Sequence, residues 1–177
     1  LTISKDPSSP TTLPSYGSTG APWYSYYFRS ECTEGTIAGF TNGGQNLFNG
    51  LSSMKILKST SMTSINSPLF TGSSIENINM GNLSSTVSNL SPLKDTLVTL
   101  NAPNLTSIAA NSFYEFSKLE NVQIGSSGVM VYDYAFWKCT KLRTISTGGI
   151  VSVGKGAFAY CSAMEADEHC FNALATI

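Results

Sequence analysis

Apolar residues recur along the chain in a spaced series that returns every 22 or 23 positions. Phe113 is followed by Phe116, Leu119, Val122 and Ile124. Phe136 is followed by Cys139, Leu142, Ile145 and Thr147, at the same offsets of 3, 6, 9 and 11, and Phe158 by Cys161 and Met164 at offsets 3 and 6. Leu105 and Ile108 precede Phe113 by 8 and 5 residues, as Ile150 and Val153 precede Phe158. The residue just ahead of the phenylalanine is small: Ser112, Ala135, Ala157. This period belongs to short solenoid coils of roughly 20–29 residues and falls well below the ~33 or more of helical-pair repeats. One coil cannot bury its apolar face alone, so the pattern predicts a stack in which the phenylalanines and the offset 6, 9 and 11 residues form one continuous core.

Weaker copies extend the series. Phe48, Leu51, Met54 and Leu57 keep offsets 3, 6 and 9, and Met62 and Ile65 lead into Phe70. Ile75, Ile78 and Met80 come one residue early, as a deletion in a turn would produce. The next coil has lost its phenylalanine and is carried by Leu90, Leu93, Leu97, Leu100 and Ala102, with an insertion near Asp95. Pro92 and Pro103 fall in turns, where a missing amide costs no ladder bond. Residues 48–164 are thus the repeat array. Residues 1–47 form an N-terminal cap or degenerate first coil, with a short strand at Leu1–Ser4, a loop over 5–20, and Phe28 or Tyr26 competing for the phenylalanine slot. Residues 165–177 form a C-terminal partial repeat or cap, because Asp167 stands where better coils place an apolar side chain.

Short strands are expected near residues 56, 78, 100, 122 and 145, all parallel and in one sheet, with mostly irregular segments and turns on the other side. Side chains alternate along a strand. Two outward rows follow: Asn77, Thr99, Asn121 and Thr144, and beside them Asn79, Asn101, Gln123 and Ser146. Ile56 and Lys58 extend the rows toward the N-terminal end. Such rows are either a binding face or a solvated face with ladders of side-chain amides.

Composition narrows the function classes. Charged residues make up 12% of the 177, and 10 basic against 11 acidic side chains leave a net charge of −1. With no basic cluster on one face, nothing points to nucleic acid. No apolar run approaches the roughly 18 residues of a spanning helix, so this segment is not expected to insert in a membrane. A chain beginning at Leu1 reads as a processed or excised fragment. Four cysteines (32, 139, 161, 170) follow no metal or redox spacing. Cys139 and Cys161 occupy one apolar slot a coil apart and are expected as stacked, buried, poorly reactive thiols rather than a disulfide.

With those residues in view, the chain resembles the BspA-like leucine-rich repeat family of bacterial and some protozoan surface proteins. Ala135-Phe136-Trp137-Lys138-Cys139-Thr140-Lys141-Leu142-Arg143-Thr144-Ile145 and Ala157-Phe158-Ala159-Tyr160-Cys161-Ser162-Ala163-Met164 are similar to its Ala-Phe-x-x-Cys-x-x-Leu-x-x-Ile repeat. Leu1–Ser4 with Tyr16 and Ala21-Pro22-Trp23-Tyr24 is similar to the segment that often precedes such arrays. The resemblance implies an α/β-type repeat solenoid: a right-handed leucine-rich-repeat coil with a short-strand parallel sheet, mostly β and irregular. It also implies a role in adhesion or protein binding outside the cell or at its surface, and it supplies no catalytic residues.

No catalytic constellation emerges from the residues. The single histidine, His169, lies beside Cys170 among Glu165, Asp167 and Glu168 and reads as part of a polar cap, without a second ligand pair at metal spacing. Gly148-Gly149 and Gly154-x-Gly156 read as turns rather than a phosphate loop. Asn82-Leu83-Ser84, Asn89-Leu90-Ser91 and Asn104-Leu105-Thr106 match glycosylation acceptors, as chance produces in a chain this rich in Asn, Ser and Thr. The expected function is a non-enzymatic protein-binding or adhesion module, with no cofactor and no metal. Its strand face would meet a matrix or other surface protein through Asn77, Asn79, Thr99, Asn101, Asn121, Gln123, Thr144 and Ser146. Two alternatives are a carbohydrate-binding module using the aromatic run Trp23 to Phe28, which otherwise caps the stack, and a structural spacer in a larger surface protein.

Overall fold

The computed structural model describes residues 2–4, 32–38, 48–65, 69–84, 88–126 and 128–164. Ten short strands follow in chain order: β1 (Thr2–Ser4), β2 (Glu34–Ala38), β3 (Ile56–Ser59), β4 (Asn77–Met80), β5 (Thr99–Ala102), β6 (Ser107–Ile108), β7 (Asn121–Ile124), β8 (Val129–Val131), β9 (Thr144–Ser146) and β10 (Ile150–Val153). Seven form one parallel sheet in the order β1-β2-β3-β4-β5-β7-β9. Five of these are the strands expected near 56, 78, 100, 122 and 145. The N-terminal region adds two more, with Thr2 paired to Thr36 and Thr36 to Lys58. The described chain is a parallel solenoid of about five turns, and its helical content is one 3-10 segment, Ser88–Leu93.

The opposite side is more regular than the sequence suggests. Strands β6, β8 and β10 make a second parallel sheet in the order β10-β8-β6. Between Ile150 and Ser152 the register shifts by one residue, which leaves Val151 opposite no partner and pushes it outward. That bulge spaces the inward residues Ile150 and Val153 three apart and hides the two-residue alternation of a strand.

Between the sheets lies the core. Phe48, Phe70, Phe113 and Phe136 are fully buried, and their rings stack coil on coil. Phe48 lies 5.9 Å from Phe70, and Phe136 lies 5.0 Å from Phe113 and 5.4 Å from Phe158, with planes within 9° in each pair. The coil without a phenylalanine fills its place with buried Leu90, Leu93 and Leu97. The small residue before each phenylalanine has a structural reason. The Phe113 amide donates to Ala135 O and the Phe136 amide to Ala157 O, both at 2.7 Å, so the backbones of adjacent coils touch where Ser112, Ala135 and Ala157 are buried.

The cysteine slot is part of this ladder. The Cys139 thiol donates to Phe113 O and the Cys161 thiol to Phe136 O, each at 3.0 Å, and Cys32, Cys139 and Cys161 are free thiols. The neighbouring Cys161 sulfur, then burial, pushes the Cys139 thiol far above its ordinary value. The neighbouring Cys139 thiol in turn holds the Cys161 thiol below its own. Cys139 is buried as expected, but Cys161 is only half-buried, because no further described coil covers it.

Candidate functional site

The two outward rows are in register across the large sheet. Asn77 pairs with Thr99, Thr99 with Asn121 and Asn121 with Thr144. Asn79 pairs with Asn101, Asn101 with Gln123 and Gln123 with Ser146. Each member comes from a strand whose neighbours in sequence, such as Ile78, Leu100, Val122 and Ile145, are buried, so core burial on one side fixes the rows on the other. Glu34 and Ile56 continue the first row, and Thr2, Thr36 and Lys58 the second. Thr2, Glu34 and Thr36 are not legible as row members in the sequence, because Phe28 and Tyr26 compete for the slot that would fix the register there.

Hydrogen bonds tie the rungs together. Thr144 Oγ1 donates to Asn121 Oδ1 at 2.8 Å, and Asn101 Nδ2 donates to Asn79 Oδ1 at 3.4 Å. The face is polar yet almost free of unbalanced charge, since Lys58 pairs with Glu34 at 2.6 Å and Lys55 with Glu76 at 2.8 Å at its N-terminal end. Asn79, Asn121, Gln123, Thr144 and Ser146 are exposed, whereas Asn77, Thr99 and Asn101 are half-buried. The alternation that turns Asn101 outward therefore does not leave it exposed. Rungs only ~4.8 Å apart cover one another, and the Asn101 Oδ1 is enclosed with no donor.

The rows line two shallow depressions that share Gln123 and Ser146. The first, about 340 Å³, is bounded by Thr99, Asn101, Asn121, Gln123, Thr144 and Ser146. The second, about 300 Å³, continues past the strand ends between Pro103, Ser126 and Gly148. Chemically the face offers amides and hydroxyls that both donate and accept, a surface suited to many weak contacts rather than to proton transfer or nucleophilic attack.

Two of the glycosylation-like asparagines have another role. Asn104 Nδ2 donates to Gly81 O at 2.9 Å, and Asn82 Nδ2 donates to Thr60 O, so the amides hold consecutive turns together at the strand ends. Their 22-residue spacing was the available signal. The aromatic run Trp23 to Phe28 and the cluster around His169 lie outside the described residues. Among the described residues no group of three or more His, Cys, Asp or Glu is placed to hold a metal ion, and no helix is long and apolar enough to cross a membrane.

No curated protein and no solved structure matches the chain. The family model of the BspA type leucine-rich repeat region matches residues 23–92 and 93–173, in six copies. With most of the chain covered by that match, the protein belongs to the BspA-type leucine-rich repeat family.

Proposed function

We propose that this protein is a non-enzymatic binding module that works at the cell surface or outside the cell, and that its strand face docks a protein partner. One observation carries the reading: two in-register rows of uncharged hydrogen-bonding side chains cross the large sheet and line a shallow depression over β5, β7 and β9. Solenoids commonly bind through such an extended face, and leucine-rich repeats generally serve as interaction scaffolds. With little net charge, the face has little electrostatic steering, so binding depends only weakly on salt.

The test begins with a pull-down from extracellular-matrix proteins, followed by replacement of Asn101, Asn121 and Gln123 with Ala. The triple variant weakens the captured partner about tenfold or more, since each lost contact is worth roughly 0.5–1.5 kcal/mol. Capture of no partner, as from a plain spacer, contradicts the proposal, as does a triple variant that binds normally.

A further inference from the structure

A second surface lies on the loop flank of the last three described coils. There Tyr114, Tyr134, Trp137 and Tyr160 gather. The Trp137 ring stands 6.4 Å from Tyr114 and parallel within 8°, 5.3 Å from Tyr134 at 76°, and 4.7 Å from Tyr160 at 75°. Tyr160 is 64% exposed, the most open large apolar or aromatic side chain of the described residues.

The backbone beneath this cluster is telling. In three coils the second residue after the phenylalanine turns its amide toward the next coil: Gly50 N donates to Thr71 O, Glu115 N to Trp137 O and Lys138 N to Ala159 O. A left-handed conformation does this, and two coils fill the position with Gly50 and Gly72, both at φ 70°. The last three place Glu115 (φ 60°), Lys138 (φ 55°) and Tyr160 (φ 63°) there, and Tyr134 (φ 54°) takes the left-handed place that Gly156 fills one coil later. Non-glycine side chains resist this conformation. The Trp137 Nε1–H is also enclosed without an acceptor. Stability alone therefore does not account for these side chains, and strain retained on one patch points to a role.

We infer that this aromatic flank is a second binding site, and that its ligand is a neutral oligosaccharide. A pyranose ring presents a C–H face that packs on an aromatic ring and a rim of hydroxyls that needs nearby polar groups. The flank supplies both: open Tyr faces, and beside them the exposed Lys138–Glu115 pair at 3.2 Å, whose charges cancel and so favour no charged ligand. Three coils stacked with ~4.8 Å between neighbours span about 10 Å, the length of a short sugar chain.

The test titrates the whole protein with cellohexaose, maltohexaose, xylohexaose and N-acetylchitohexaose, read by calorimetry and tryptophan fluorescence. At least one probe binds with Kd of about 1 mM or tighter. Tyr160→Gly weakens it tenfold or more while melting no lower than the parent, because glycine relieves the backbone at that position. Tyr160→Phe retains binding, and so does the strand-face triple alanine variant, which separates this site from the protein-binding face. The inference is overturned if no probe binds, if Tyr160→Gly binds normally, or if Tyr160→Gly abolishes capture of a protein partner instead.

Discussion

Phe136 carries the stacking claim at the level of single residues. Its ring is fully buried between Phe113 and Phe158, so Phe136→Ala opens a cavity with little room to collapse. A loss of about 3–5 kcal/mol is expected, a fall in Tm of roughly 10 °C. A melt within a degree or two of the parent rules the ladder out. The cysteines separate by burial and by charge. Native alkylation should modify Cys161 well before Cys139, at a rate that rises as pH climbs through the lowered Cys161 value. Equal labelling of both would contradict the assignment. For Cys139 the sign runs the other way. Its folded pKa is raised, so its contribution to stability is complete below the unfolded value near ~8.5 and declines as pH rises beyond it. Cys139→Ala should therefore flatten the alkaline fall in Tm, and an unchanged fall counts against the raised value. The periodic pattern showed that both thiols share one slot. It did not show that Cys161 is half-open, because that depends on what lies over the last described coil.

At the scale of elements, the coils interlock through backbone contacts that leave no room for side chains. A Cβ on Gly148 would sit 1.3 Å from the Ser126 carbonyl oxygen, where the Gly148 amide already donates to Gly125 O at 3.0 Å. Gly148→Ala should thus separate β7 from β9 locally and destabilise by about 3 kcal/mol or more, the upper end of overpacking costs. A normal melt for Gly148→Ala would show that the turn is placed wrongly. The large sheet was legible because Leu100, Val122 and Ile145 recur at one offset with polar residues between them. The second sheet was not, because the bulge at Val151 replaces a spacing of two with three, and because β6 is only Ser107–Ile108. The left-handed positions were half legible. Gly50 and Gly72 advertise them, but Tyr134, Lys138 and Tyr160 give no sign of the same backbone.

At the scale of the molecule, the described residues of the solenoid present two surfaces of different chemistry. The strand face is a lattice of amides and hydroxyls with paired charges at its N-terminal end, and the loop flank of the last described coils is aromatic. The candidate strand residues were readable from alternation alone. Their mutual cover was not, since the half-burial of Asn77, Thr99 and Asn101 arises only when coils stack. That cover makes the triple variant a clean probe of function. Asn101 gives up one long amide contact and an unpaired oxygen, Asn121 gives up one exposed bond from Thr144 at 2.8 Å, and Gln123 is exposed. The most direct measurement is the affinity of the parent and of the Asn101, Asn121 and Gln123 triple alanine variant for a captured matrix protein, across a salt series. The account predicts a loss of about tenfold or more in the variant with Tm nearly unchanged, and a parent affinity almost flat with salt. Equal affinity of the two proteins, or a parent affinity that collapses as salt rises, would contradict it.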